Sequence, residues 1–254
     1  MNFIKLFGMM MNYLLSVLLV FILFCHVTMV QAKNLTVAIF IEPPFADLVD
    51  GEFVGENIDI VKALSKSVDL TPIFIRCPFI RCLALVKHGK ADMIMGLRKL
   101  VDREKDLIFL SPPYMVQHYP LRFFTLTSQE IAINSFADLN NLTVGMLRGA
   151  SYFDLFDDDK VIKKVELTSR TQLINMLLRG RIDVFIEREE SVLPHLPLEQ
   201  YLQKFTLAKY QYDQSENAYI AISKHSHIKE YAERLSAHLK TLVTNGTIKA
   251  IRMK

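Results

Sequence analysis

The sequence predicts an α/β protein of two similar lobes joined by a two-strand hinge, and it does so through a repeat, a shared element order and two extended crossings. The repeat pairs Gly89-Lys90-Ala91-Asp92-Met93-Ile94-Met95 with Gly180-Arg181-Ile182-Asp183-Val184-Phe185-Ile186. Each copy reads as a helix stop, a basic residue, an acidic residue and a buried strand. Ligands between two such units meet the carboxyl ends of strands in both, so the duplication points to a cleft between lobes.

In the first copy, Leu35 to Ile41 is a β-branched run ended by Pro43-Pro44, which suits a buried parallel strand. Ile58, Val61, Leu64 and Val68 recur at helical spacing after Gly55, and Ile73 and Ile75 mark a second strand. Ile80, Leu83, Ala84 and Val86 give a second helix, stopped by Gly89 before the strand Met93 to Met95. The second copy starts with the strand Leu142 to Leu147, turns at Arg148-Gly149-Ala150-Ser151 and enters a short helix. A strand around Val161 to Leu167 follows. Thr168 or Ser169 then caps a helix whose apolar face uses Leu173, Ile174, Leu177 and Leu178.

Tyr119 to Leu126 and Asn217 to Ser223 read as the extended crossings between lobes. Ile228, Tyr231, Leu235, Leu239 and Leu242 share one helical face, which assigns the tail to the first lobe. The expected organisation is therefore residues 33–120 and 218–254 as a discontinuous lobe 1, with residues 121–217 as lobe 2.

With 254 residues and 51% apolar content, the chain has material for two modest cores. Residues 1–32 stand apart: Lys5 precedes the apolar run Leu14 to Cys25, and the segment closes on Val30-Gln31-Ala32, small at both positions that signal peptidase reads. The expectation is a cleaved secretory signal and a periplasmic protein; the alternative is a retained anchor, since Phe7 to Val30 is nearly long enough to span a bilayer. Cleavage removes Lys5 and no acid, taking the formal charge from +3 to +2, too weak and too scattered to suggest a nucleic acid partner. It also removes Cys25 and leaves Cys77 and Cys82, which are either bridged or two small buried thiols.

Several motifs, in order, resemble the bacterial extracellular solute-binding proteins of family 3. They are Glu42-Pro43-Pro44-Phe45, Gly55 through Asp59, Gly89-Lys90-Ala91-Asp92, Asp102-Arg103 and Ser111-Pro112-Pro113-Tyr114. Asp138-Leu139, Arg148-Gly149-Ala150-Ser151 and Gly180-Arg181-Ile182-Asp183 continue the series. The resemblance implies a type II periplasmic binding protein, monomeric and without a cofactor, whose lobes close over a small anionic or zwitterionic solute. Its partner would be an ABC transporter permease in the inner membrane.

The resemblance also assigns roles. Arg103 falls where the family clamps a ligand carboxylate, a task suited to a planar, permanently charged fork; the alternative is a surface ion pair with Asp102 or Asp106. The turn holding Arg148, Ala150 and Ser151 would offer backbone N–H groups to the ligand, or Ser151 would simply cap the helix. Gly96 and Arg98 follow the last strand of the first lobe, where relatives present backbone and small hydroxyl groups. Phe45 shares the Glu42 loop, and Phe79 either lines the cleft or fills the core.

The chief departure is Arg188, standing where amino-acid receptors commonly carry an aspartate for the ligand's ammonium. Glu187 or Glu42 would have to replace that acid; otherwise Arg98, Arg103 and Arg188 favour a dicarboxylate or another anion. Cys77-Pro78-Phe79-Ile80-Arg81-Cys82 resembles a pattern from a less characterised branch, so familiar ligand preferences transfer poorly. Asp157-Asp158-Asp159 reads as a solvated turn, and His225-Ser226-His227 as too few ligands for a metal.

The chain offers no nucleophile motif, zinc signature or phosphate loop. An enzyme on this fold would have to use general acid and base chemistry, as a secreted cyclohexadienyl dehydratase does, with Glu42 or Glu187 as the acid. A ligand-sensing partner of a membrane signalling protein is the further alternative.

Overall fold

The computed structural model describes residues 33–253; the signal sequence read at residues 1–32 lies outside them. Strand β1 (Lys33–Ile39) leads through a small hairpin, β2 (Asp47–Val49) with β3 (Glu52–Val54), into helix α1 (Glu56–Ser65). The helix ends earlier than the spacing predicts, with Val68 in a following 3-10 turn that keeps it buried. Gly55 precedes α1 with φ of 115°, and a Cβ there would stand 2.7 Å from the carbonyl oxygen of Phe45. Only glycine allows that approach, which in turn lets the Asn57 N–H donate to the same carbonyl at 2.8 Å.

β4 (Leu70–Arg76), α2 (Phe79–Lys87) and β5 (Met93–Leu97) complete the first unit. Cys77 and Cys82 are joined by a disulfide across the junction of β4 and α2, with Cα atoms 5.3 Å apart. The one-turn helix α3 (Val101–Glu104), β6 (Leu107–Phe109) and β7 (Met115–Gln117) follow. The second unit then uses β8 (Leu121–Leu126), β9 (Thr143–Leu147), α4 (Asp154–Asp158), β10 (Lys163–Leu167), α5 (Arg170–Leu178) and β11 (Val184–Arg188). After β12 (Phe205–Tyr212) and β13 (Glu216–Ser223), the tail helix α6 spans Ala232–Thr244.

The strands form two sheets of matching design. One has the order β4-β1-β5-β13-β6, with β7 also paired to β13; the other has the order β10-β9-β11-β8-β12. In each, three parallel strands meet a fourth, antiparallel strand, β13 in the first and β8 in the second. The chain passes from one sheet to the other between β7 and β8 and returns between β12 and β13. β7 and β13 pair with Val116 opposite Asn217, so the two crossings lie side by side.

The sequence repeat has a local physical cause. In both copies the glycine takes a positive φ and the next residue donates back to the helix, Lys90 N to Leu85 O at 2.8 Å and Arg181 N to Met176 O at 2.9 Å. The aspartate then clamps the neighbouring parallel strand. Asp92 Oδ2 accepts from Thr36 N at 2.7 Å, and Asp183 Oδ2 accepts from Thr143 N at 2.7 Å. These acids hold strand starts together, and each lies at the far end of its strand from any ligand bound at the carboxyl ends.

Each sheet is apolar on both faces. α1 and α6 cover one face of the first sheet, with Ile58, Leu64, Leu235 and Leu239 in a common cluster with Leu35 and Val37, while α2 covers the other through Cys82, Leu83 and Val86. In the second sheet, Leu173, Ile174 and Leu177 of α5 pack against Phe124 and Phe185, and Phe153 and Phe156 close the opposite face.

Candidate functional site

The carboxyl ends of β1, β5, β9 and β11 converge on a cavity of about 80 Å³ between the two sheets. Glu42, Phe45, Gly96, Arg98, Arg103, Ala150, Ser151, Glu187 and Arg188 all line it. Arg148, also expected there, does not: its guanidinium turns to Glu166 at 3.2 Å, both side chains half exposed.

Arg103 is buried at 6% exposure on α3. It donates from Nη1 to the carbonyl of Arg98 at 3.1 Å and from Nη2 to the carbonyl of Gly149, on the second sheet, at 3.2 Å. The Phe79 ring centre lies 6.0 Å from its guanidinium carbon, so Phe79 belongs to the cavity wall as well as to the apolar cluster around α2. The surface alternative for Arg103 falls away, because Asp102 pairs with Lys105 at 2.7 Å and with Lys87 at 3.8 Å. Burial, then the nearby Arg98 charge, pulls the Arg103 pKa down to about 10, which leaves it protonated at neutral pH.

Arg98 is not free to grip an anion. Its Nε donates to Glu216 at 3.1 Å, and its Nη1 donates across the cleft to Ser151 Oγ at 2.8 Å and to the Tyr152 carbonyl at 2.9 Å. Asp154 and Asp157 each stand 3.6 Å away. Arg188, at the cavity rim, donates from Nε to the Tyr119 carbonyl at 3.1 Å.

The turn after β9 is largely satisfied from within. The N–H groups of Arg148 and Ala150 donate to Leu167 and Leu147 carbonyls, and that of Tyr152 donates to Asp157 at 2.9 Å. Ser151 does not cap α4; its hydroxyl donates to Asp157 Oδ2 at 2.6 Å, and the helix starts after Phe153. Of the run expected as a solvated acidic turn, Asp158 is exposed, whereas Asp157 accepts under the Ser151 turn and Asp159 accepts from Val161 N and Ile162 N.

Sequence reasoning missed Arg170. It is the first residue of α5, 9% exposed, and its Nη2 donates to Glu42 Oε1 on the loop after β1 at 2.6 Å. Its Nε lies against Glu187 Oε2, and Ser191 Oγ adds a bond to Glu42 Oε1 at 3.2 Å. Burial works against the Arg170 charge, but Glu187 and then Glu42 outweigh it and hold the pKa above the ordinary guanidinium value. Burial pushes the Glu187 carboxyl up, although Arg170 pulls the other way. One signal existed in the chain: a cation in the first helical turn, next to the N-cap Ser169, opposes the helix dipole and needs acidic partners elsewhere.

The sequence profile of the bacterial extracellular solute-binding proteins, family 3, matches residues 35–254. The chain belongs to this family. Among characterised relatives, the ABC transporter arginine-binding protein 1 of Escherichia coli (strain K12) is 28% identical over 144 residues, 56% of this chain and only 57% of that protein. The arginine-binding periplasmic protein of Mannheimia haemolytica is 24% identical over 234 residues, covering 91% of this chain and 94% of that one. Of solved structures, a mutant of ArgBP from T. maritima superposes with a TM-score of 0.72 at 20% identity, covering 86% of this chain and 93% of its own. A histidine kinase sensor domain superposes with a TM-score of 0.71 at 17% identity, covering 88% and 96%. The fold is that of a type II periplasmic binding protein, and at these identities the superpositions speak for the fold alone.

Proposed function

We propose that the chain is a periplasmic receptor that captures a small zwitterionic amino acid between lobes 33–120 plus 218–254 and 121–217, then delivers it to an ABC permease. Arg103 carries the reading. It is a buried guanidinium on the cavity wall, bonded to two carbonyls, and among the described residues no carboxylate lies within 4.0 Å of it. An unpaired buried charge costs several kcal/mol, and a ligand carboxylate accepting a forked pair of hydrogen bonds removes that cost.

Glu42 and Glu187 on the same wall both pair with Arg170, and this cluster of three carries one excess negative charge. That excess suits the ligand's ammonium and substitutes for the aspartate absent at Arg188. A trap of three arginines for a dicarboxylate draws less support, since Arg98 is already ringed by acids. The dehydratase alternative weakens for a related reason: both candidate acids are engaged by Arg170, and the named relatives are binding proteins.

A thermal-shift screen against amino acids and dicarboxylates tests the reading. An amino acid at a hundred times its dissociation constant should add about 2.7 kcal/mol of stability, and Arg103→Ala should abolish that shift. A screen in which only dicarboxylates stabilise the protein, or a shift untouched in Arg103→Ala, would refute it.

A further inference from the structure

The named relatives bind arginine, yet this cavity already contains one. The guanidinium of Arg170 sits between Glu42, supplied by the first sheet's loop, and Glu187, at the end of β11, and it lines the cavity beside both. We infer that Arg170 is a specificity-determining residue that occupies the place of a cationic ligand side chain, so that the receptor takes small amino acids lacking a cationic side chain and rejects arginine and lysine. The inference rests on the preceding reading of the site as an amino-acid pocket.

Charge argues for it, and so does the anchoring of Arg170. With Arg170 in place, the pair of acids has one negative charge left, enough for the ligand's ammonium and no more. A second ligand cation would crowd three positive groups onto two carboxylates in a desolvated wall, where each uncompensated charge is expensive. The cavity of about 80 Å³ shares Phe40, Phe79, Leu147 and Arg170 with a neighbouring one of about 310 Å³. Arg170 itself is held from both sheets, so a ligand cation can take its place only by breaking its contacts with Glu42 and Glu187.

The other basic groups of the wall do not relieve this. Arg98 is balanced by Glu216 and Asp157, so it adds no acid for a ligand cation, and Arg188 at the rim adds repulsion. Removing Arg170 alone should reverse the preference, because it exposes two acids that only an added cation can balance.

The test is calorimetric titration of the purified protein with L-alanine, L-glutamine, L-glutamate, L-lysine and L-arginine, repeated on Arg170→Met and Arg170→Lys. The wild type should bind its best non-cationic amino acid at least about 100-fold more tightly than arginine or lysine. Arg170→Met should narrow or invert that ratio by about tenfold or more, whereas Arg170→Lys should preserve it. Arginine binding to the wild type as tightly as any neutral amino acid overturns the inference, and this comparison stands even if Arg170→Met does not fold. An unchanged ratio in folded Arg170→Met overturns it too. Should amino acids bind, and be lost in Arg103→Ala, while arginine is preferred, only the present inference falls; should no amino acid bind at all, the reading of the pocket falls with it.

Discussion

Arg103 draws its character from what surrounds a single side chain: two carbonyl acceptors, the Phe79 ring and deep burial. A lysine there keeps the charge but loses the planar fork, so Arg103→Lys should weaken amino-acid binding by about tenfold or more, measured by titration. Although burial lowers the Arg103 pKa to about 10, the group stays charged well above neutrality. This arginine was legible because its neighbours in sequence, Asp102 and the strand before it, mark its place. Arg170 was not, since its partner Glu42 lies 128 residues away and only the meeting of two sheets brings them together. Arg148 misled for the converse reason: its motif predicts a turn at the cleft, and the turn is there, but nothing local fixes which way the long side chain points.

At the scale of elements, the repeat that announces the fold is held by Asp92 and Asp183, each receiving a backbone N–H from the adjacent strand. Asp92 also accepts from Ser226 Oγ, tying in the turn that follows β13. Charged hydrogen bonds of this kind are worth roughly 1.5 to 3 kcal/mol, so Asp92→Ala should lose about that much stability in chemical denaturation, and more than Asp183→Ala. A third carboxylate, Asp138, closes a capping box by accepting from Asn134 N and Ser135 N, and those bonds hold its pKa below the usual aspartate value. A depressed acid contributes stability above its unfolded pKa and loses it as pH falls through the folded one. Asp138→Asn should therefore lower the melting temperature at pH 7, and the gap to wild type should close on acidification below about pH 4, near the unfolded aspartate pKa. The paired helices and parallel strands were readable because their apolar spacing is regular. β12 was not, since its register shifts between Leu207 and Gln211 and breaks the alternation, and β2, β3 and β6 are too short to show any period.

Across the whole molecule, the sheets are linked through the cleft by Arg98 to Ser151 and Tyr152, by Arg103 to the Gly149 carbonyl and by Arg170 to Glu42. These three links are arginines on the cavity wall, and Ser191 Oγ to Glu42 adds a fourth, so on the proposed reading the groups that grip the ligand also hold the sheets together. Gly149 has φ of 78°, and a Cβ there would stand 2.6 Å from Ile80 Cδ1, the mobile end of a side chain on the other lobe. Gly149→Ala should strain the turn after β9 and cost roughly 1 to 2 kcal/mol of stability in chemical denaturation. The most direct measurement is a crystal structure of the protein with the amino acid it binds most tightly. The ligand should lie between the sheets with its carboxylate on the Arg103 guanidinium and its ammonium against Glu187 or Glu42. A ligand bound outside this cavity, or seated with its carboxylate turned away from Arg103, contradicts the proposed site.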